Sequence, residues 1–236
     1  MDTGPTSPAL RVIYTLRPVL VSWAGQNLVG LFPSGSFAKG TANHSGTDID
    51  VFVSLSSAVN DTLKEIYNKL NGRLIELRYT PKKQNVSINI RVNGYSVDLV
   101  PGKRQDTVST DHSLYRNRAD TWTKTNVVKH IQHVRSFNRI NETRIVKLWR
   151  KQKGLEFPSF YLELAVIEAL RGCQTNLSAN VVRVLEYLRD SFVNARIVDP
   201  ANTNNIISED LTVAEKNAIR LRADSSLKGS WSDVVS

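Results

Sequence analysis

Cysteine is almost absent from this chain, and so are long apolar runs. Cys173 is the single cysteine in 236 residues, which excludes a disulfide framework and a cysteine-rich zinc site and favours a reducing compartment. The most apolar early stretch, Val12 to Trp23, is interrupted by Arg17 and Pro18 and is too short to cross a bilayer. The first residues lack a basic segment followed by an apolar one, so we expect no secretory signal, no membrane partner and a cytoplasmic location.

Acidic residues are fewer than basic residues in this chain. The chain has 22 Asp and Glu against 31 Lys and Arg, a formal net charge of +9. This balance suits a polyanionic partner such as nucleotides or nucleic acid, although a solvated basic surface explains it equally well. With 41% hydrophobic residues and no internal repeat, the chain is long enough for one large domain or two small ones with a real core.

The front half of the chain is rich in predicted strands. After a helix over residues 10–23, apolar runs predict strands over residues 28–32 and 49–55. A helix follows, with Asn60 as its candidate cap and Asn71-Gly72 as its end. Period-two alternation over residues 86–92 and 95–100, joined by Asn93-Gly94, predicts a β-hairpin.

The second half of the chain reads as helices. We expect no strands after about residue 119, and helices over residues 126–137, 141–153, 159–171, 179–191 and 212–224. The fold class is therefore α+β, with a mixed or antiparallel sheet and a C-terminal helical lobe. We expect an N-terminal helix in residues 1–27 that bridges the lobes, a sheet core over 28–118 and the helical lobe over 119–236.

Three aspartates carry the strongest chemical signal. Asp48 and Asp50 lie at i and i+2 around the second predicted strand, so their carboxylates project from one face. Asp98 lies between Val97 and Leu99 on the hairpin strand. If that strand lies beside the second one, three carboxylates converge, and hard oxygen ligands of this kind suit Mg²⁺ or Mn²⁺. Three acids can hold two metals roughly 4 Å apart, the arrangement used for in-line phosphoryl displacement.

A phosphate cradle precedes the acids in sequence. Gly35 and Ser36 lie where a strand turns into a short helix, and free N–H groups and a hydroxyl there favour a phosphate oxygen. Taken singly, each piece has an ordinary explanation: a common turn for Gly35-Ser36, an exposed strand edge for Asp48 and Asp50, and a turn before Pro101 for Asp98. Together, in this order and with eleven residues between Ser36 and Asp48, they form a specific combination.

The combination resembles the polymerase-β-like nucleotidyltransferase superfamily. Within it, the chain is most similar to the bacterial cGAS/DncV-like nucleotidyltransferases, or CD-NTases, and to 2′-5′-oligoadenylate synthases. The resemblance covers about residues 28–224 and includes the segments 141–150, 157–163 and 198–205. It implies the nucleotidyltransferase fold, with the sheet as the catalytic core.

The resemblance also implies roles for individual residues. Asp48 and Asp50 would bind both metal ions, two Mg²⁺ or Mn²⁺, and Asp98 would bind the catalytic one and help to activate the attacking hydroxyl. Gly35 and Ser36 would cradle the triphosphate. Lys147 and Ser159 resemble the helical-lobe residues that hold the donor's phosphates; alternatively, Lys147 belongs to a solvated helix face and Ser159 caps the helix after Pro158.

The implied activity is template-independent joining of nucleoside triphosphates, ATP among them, with release of pyrophosphate. The resemblance points to a cyclic oligonucleotide second messenger in bacterial antiphage defence, which would act through a downstream effector protein. The same acids could instead extend a linear oligonucleotide or modify a tRNA end or a protein hydroxyl. A catalytically silent nucleotide-binding module is an alternative of another class. Two basic pairs either line a nucleotide groove or are ordinary surface charge: Lys82-Lys83 and Lys103-Arg104. No motif dedicated to nucleic-acid binding is evident in the sequence.

Overall fold

The structure is a computed structural model, and it describes residues 7–43, 48–173 and 176–234. The helices are α1 Pro8–Ala24, α2 Gly35–Lys39, α3 Leu63–Glu76, α4 Val127–Ser136, α5 Ile140–Gln152, α6 Ser159–Ala169, α7 Leu177–Asp190, α8 Val213–Lys228 and α9 Trp231–Val234. The strands are β1 Leu28–Pro33, β2 Ile49–Leu55, β3 Lys82–Lys83, β4 Ile88–Val92, β5 Tyr95–Arg104, β6 His112–Arg116 and β7 Thr121–Thr125. Contacts divide the chain into two units, residues 1–131 and 132–236.

The strands form one mixed sheet in the first unit. Its order is β1-β2-β5-β4-β3, and β6 pairs with both β5 and β7. Strands β2 and β5 are parallel, whereas the other pairs are antiparallel. The predicted α+β class with a mixed sheet is therefore confirmed, and the predicted hairpin forms through Asn93-Gly94 with Val92 opposite Tyr95.

One face of this sheet is covered by helices α1 and α3. In the central strands, Val51, Val97 and Leu99 lie in the same core cluster as residues of both helices. Because neighbours along a strand point to opposite faces, the residues between them are on the other face. That second face carries Asp50 and Asp98.

Helix α3 begins and ends later than the sequence suggested. Its N-cap is Thr62, which forms a capping box with Glu65, and not Asn60. The helix also continues through Asn71-Gly72 to Glu76. Leu70 and Leu74, one turn apart, are fully buried, and their burial outweighs the roughly 1 kcal/mol that an interior glycine costs a helix.

The strands also extend further than expected. Strand β7 pairs with β6 from His112 opposite Thr125 to Arg116 opposite Thr121, so the expectation that strands end near residue 119 is wrong. Asp120 takes a left-handed conformation, φ 47°, in the tight connection between the two strands. The division between the units falls between Ile131 and Gln132, after this hairpin, whereas the sequence suggested a boundary after residue 118.

The second unit is helical, as the sequence predicted. Helix α6 is apolar almost all round and is buried from Tyr161 to Ile167, which makes it the centre of this unit's core. Trp149 of α5 is fully buried, and its indole N–H donates to Ser226 Oγ of α8 at 2.9 Å. No helix within the described residues is long and apolar enough to span a membrane.

Candidate active site

A row of polar residues crosses the open face of the sheet. Asp50 of β2 lies directly opposite Asp98 of β5, Asp98 lies opposite Asn89 of β4, and Asn89 lies opposite Lys82 of β3. Residues that are direct partners on adjacent strands point to the same face. These four residues, called the polar row below, place two of the three predicted acids side by side.

Asp48 lies next to this row. It is exposed and immediately precedes β2, and it borders residues 44–47, which are outside the described residues. Its carboxylate is close enough to raise the pKa of Asp98 by charge repulsion. The larger cause of the raised Asp98 pKa is burial, while hydrogen bonds from Asn89 and Ser87 act in the opposite direction. Like charges brought together at a half-buried position are typical of a site that binds a cation.

Gly35 and Ser36 begin helix α2 beside Asp50. The preceding residue, Ser34, donates its N–H to the backbone carbonyl of Asp50 at 2.8 Å, which fixes the start of the helix to β2. Gly35 has φ +56°, and a Cβ there would lie 1.7 Å from Asp50 Oδ2. Only glycine therefore fits at position 35. The first N–H groups of a helix have no intrahelical partner, so this turn can donate to an anion held next to Asp50.

The sequence prediction missed the residues that hold Asp98. Asn89 Nδ2 donates to Asp98 Oδ1 at 2.7 Å, and Gln84 Nε2 donates to the same oxygen at 3.3 Å. Asn89 could have been found from the sequence, because a two-residue turn at Asn93-Gly94 fixes the register that puts residue 89 opposite residue 98. Gln84 lies outside the hairpin, so its place depends on tertiary structure.

The turn that carries Gln84 is supported from the helical side of the sheet. The buried Tyr67 of α3 has its hydroxyl 2.9 Å from the carbonyl of Gln84 and 2.8 Å from that of Ser87, to which it donates. Burial raises the pKa of Tyr67 to about 12, so the hydroxyl remains a donor at neutral pH. Tyr67 thereby links the core to the residues around Asp98.

The chemistry of the three acids fits a divalent metal, although their arrangement is not that of a formed metal site. Hard carboxylate oxygens suit Mg²⁺ or Mn²⁺, and Asp50 and Asp98 are direct partners on adjacent strands. Within residues 7–43, 48–173 and 176–234, however, no group of three or more His, Cys, Asp and Glu side chains is placed so that it could hold a metal ion. The three-acid, two-metal site therefore stays a prediction.

Asp98→Asn tests the electrostatic cost of the acidic cluster. A raised pKa means that folding disfavours the ionised carboxylate of Asp98, so in the absence of a metal this carboxylate lowers the stability of the fold. The loss of stability is complete when the pH is above the pKa of Asp98 in the folded state, and it disappears when the pH is below the pKa in the unfolded state. We expect the variant to melt about 2 °C above the wild type at pH 7 in a chelator, with the difference lost near pH 3.5. Thermal unfolding between pH 3.5 and 8 measures this.

Asp111→Asn is the control, for which we expect a change in melting temperature of the opposite sign. Hydrogen bonds from Lys124 and Asn126 lower the pKa of Asp111, so the Asn variant should be less stable at pH 7 and approach the wild type in acid. An Asp98→Asn protein that melts several degrees below the wild type at pH 7 would show that the carboxylate stabilises the fold.

Lys147 and Ser159 lie in the second unit, on α5 and α6. The Lys147 side chain is buried, and its ammonium donates to Glu163 Oε1 at 2.7 Å; a solvated helix face is therefore excluded. Ser159 is exposed and its hydroxyl accepts from Arg150 Nη1 at 3.1 Å. The N-cap of α6 is Pro158, so Ser159 is the first residue of the helix and not its cap. Phosphate binding by these two residues stays a prediction.

Arg150 and Glu163 are the neighbours that the sequence prediction overlooked. Arg150 lies three residues after Lys147 on α5, and Glu163 lies four residues after Ser159 on α6. Helical spacings of three and four put each pair on one face, which is the signal that was available. Burial lowers the pKa of Arg150, while the charge of Glu163 acts in the opposite direction. One buried carboxylate thus stabilises two cations.

Glu163→Gln is expected to destabilise the second unit. It removes the negative charge from a completely buried ion pair, a change that costs about 3–5 kcal/mol when the other ion is left in place. Glu168→Gln on the same helix is the control, because its pair with Arg171 is exposed and contributes less than about 1 kcal/mol. Urea unfolding of the full chain compares the two. Equal stabilities would contradict a structural role for the Lys147–Glu163 pair.

Comparisons with known proteins agree with the resemblance seen in the sequence. No family model matches the chain. The curated cyclic AMP-AMP-AMP synthase of Escherichia coli (strain MS 115-1) is 27% identical over 159 residues, which are 61% of this chain and 49% of the synthase. The chain therefore spans about half the length of this relative.

Solved structures are similar over nearly the whole chain. CdnC of E. coli MS115-1 with ATP has a TM-score of 0.75 at 23% identity and matches 93% of this chain and 82% of its own. The Bradyrhizobium diazoefficiens CD-NTase CdnG in complex with GTP has a TM-score of 0.75 at 12% identity and matches 97% of this chain and 88% of its own. At these identities the structural likeness shows the fold, and it confirms the predicted fold class.

Proposed function

We propose that this chain joins nucleoside triphosphates without a template, because it has the fold of the cGAS/DncV-like nucleotidyltransferases and is similar in sequence to a cyclic AMP-AMP-AMP synthase. The product we propose is a cyclic oligonucleotide, released together with pyrophosphate. The observation that supports this most strongly is the pairing of Asp50 with Asp98 across two parallel strands, with Gly35 in contact with the Asp50 carboxylate. A metal-bound triphosphate is held by acidic metal ligands together with a backbone phosphate cradle.

In the proposed reaction, a ribose hydroxyl of the acceptor attacks the α-phosphate of the donor. An O–P bond forms, the bond between the α-phosphorus and the bridging oxygen breaks, and pyrophosphate leaves. Asp48, Asp50 and Asp98 would hold Mg²⁺ or Mn²⁺, which supplies neutralisation of the phosphate charges when bound. Asp98 would accept the hydroxyl proton, and Asn89 keeps its carboxylate oriented. Most of the acceleration comes from positioning and from charge neutralisation.

The proposal extends to substrates and to cellular role. ATP is the proposed substrate, because the curated relative is named for a product made of AMP units. We place the reaction in the cytoplasm, where nucleoside triphosphates are available and a chain with a single cysteine stays reduced. The product would serve as a second messenger for an effector protein in antiphage defence, the role that the resemblance to the bacterial family implies.

A product assay tests the proposed function. The protein is incubated with each α-labelled nucleoside triphosphate, and with all four together, in Mg²⁺ and in Mn²⁺, and the products are resolved after phosphatase treatment. A phosphatase-resistant product that comigrates with a cyclic standard is the expected result. A phosphatase-sensitive ladder would contradict cyclisation and favour linear synthesis. Nucleotide binding without any product would contradict catalysis and favour a silent binding module.

A further inference from the structure

The polar row continues beyond the acids to a lysine at the edge of the sheet. Lys82 of β3 is exposed and lies opposite Asn89, which lies opposite Asp98. With adjacent strands about 4.8 Å apart, the backbone of Lys82 is roughly 10 Å from that of Asp98. The lysine side chain extends over half of that distance, so its ammonium can reach a ligand held on the open face beside Asp98.

The neighbouring lysine has a different environment. Lys83 lies opposite Ile88, whose side chain is in the core, so Lys83 is on the helix-covered side of the sheet. Its ammonium donates to Asn68 Oδ1 of α3 at 2.7 Å and lies 5.8 Å from the centre of the Tyr67 ring. Two adjacent lysines on one short strand are thus divided by strand alternation, and only Lys82 is on the face that carries the acids.

The proposed donor site lies at the opposite end of the row. In the proposed reaction the donor triphosphate lies at the Gly35-Ser36 turn, next to Asp50, and the acceptor hydroxyl lies at Asp98. The remaining phosphates of the acceptor must point away from those of the donor, because the two triphosphates repel each other. Along the sheet, away from Asp50, the next residues of the row are Asn89 and Lys82.

We propose that Lys82 binds the 5′-phosphates of the acceptor nucleotide and thereby positions its ribose hydroxyl against Asp98. This role rests on the proposed function, and it gives the acceptor a chemical class: a nucleotide with a 5′-phosphate chain. A lysine that contacts a phosphate acts as a point charge at the end of a flexible stem. Its removal therefore weakens acceptor binding while the acids and the donor cradle stay intact.

The experiment uses a donor and two acceptors that cannot exchange roles. α-Labelled 2′,3′-dideoxy-ATP, which lacks ribose hydroxyls, can only donate AMP-type units. α,β-Methylene-ATP can only accept, and adenosine is an acceptor without phosphates. Initial rates are measured against acceptor concentration for the wild type, Lys82→Gln and the matched control Lys83→Gln.

Lys82→Gln is expected to raise the KM for α,β-methylene-ATP by about 10-fold, the effect of losing one charge-assisted hydrogen bond. Its kcat, and its kinetics with adenosine, should stay within twofold of the wild type, and Lys83→Gln should match the wild type with both acceptors. An unchanged KM in Lys82→Gln, or an equal loss with adenosine, would overturn the proposal.

Failure of the proposed function gives a different pattern. If the wild type transfers nothing to either acceptor, the nucleotidyltransferase proposal fails. The role of Lys82 in phosphate binding is then tested by calorimetry, which measures the affinity of the same three proteins for α,β-methylene-ATP. Weaker binding to Lys82→Gln alone supports phosphate binding at this edge, and equal affinities reject it.

Discussion

Asp50→Asn is expected to lower the rate of nucleotidyl transfer by at least about 10³-fold, equivalent to roughly 4 kcal/mol of transition-state stabilisation. Asp50 is the acid that contacts both the proposed phosphate cradle and the second acid of the proposed metal site. Its carboxylate contacts Gly35, its backbone carbonyl accepts from the N–H of Ser34, and its strand partner is Asp98. Asparagine has the same shape but lacks the charge that a divalent metal requires.

The fold should survive this substitution. Asp50 lies on the open face of the sheet, and its neighbours Ile49 and Val51 supply the buried apolar contacts of β2. We expect a melting temperature within a few degrees of the wild type and a normal circular dichroism spectrum. Asp120→Asn is the matched control, since Asp120 is an exposed aspartate of the same unit paired with Lys64. A variant at position 50 that keeps most of the activity would overturn the assignment of the metal site.

Gly35→Ala is expected to reduce activity by about 10²-fold or more, the effect of displacing a reacting group by about 1 Å. An added Cβ would lie 1.7 Å from Asp50 Oδ2 and 2.3 Å from its Cγ, well inside van der Waals contact. Asp50 is paired with Asp98 of β5 on one side, and its backbone carbonyl accepts from the N–H of Ser34 on the other. The alanine must therefore push aside either the carboxylate or the turn that would cradle the phosphates, and both movements disrupt the donor site.

Gly25→Ala separates this clash from simple backbone strain. Gly25 has φ +54°, close to the +56° of Gly35, but nothing lies within 4 Å of its added Cβ. Both alanines would have to adopt a positive φ, which side-chain-bearing residues disfavour, and only the one at position 35 meets the acid. Steady-state rates, melting temperatures and ATP affinities of the two variants should differ accordingly. Equal activities would show that Gly35 is needed only for its conformation.

Some features of the fold and of the candidate site depend on local sequence alone. Strand alternation predicted that Asp48 and Asp50 share a face, and the two-residue turn at Asn93-Gly94 determined the pairing of β4 with β5, including Asn89 opposite Asp98. The helices of the second unit followed from their apolar spacing. Errors arose where long-range packing outweighed a local signal, as in α3, which continues through Asn71-Gly72 because Leu74 is buried in the core.

Local sequence patterns were enough to predict most of the elements, the three aspartates, the glycine-serine turn and the resemblance to the nucleotidyltransferases. These depend on spacings of a few residues, which steric preferences and side-chain periodicity fix. Only the tertiary structure placed Asp50 beside Asp98, because β2 and β5 are parallel and parallel strands require a long crossover that no local pattern encodes. It also separated Lys82 from Lys83, since the face that each lysine occupies depends on the register of β3 against β4.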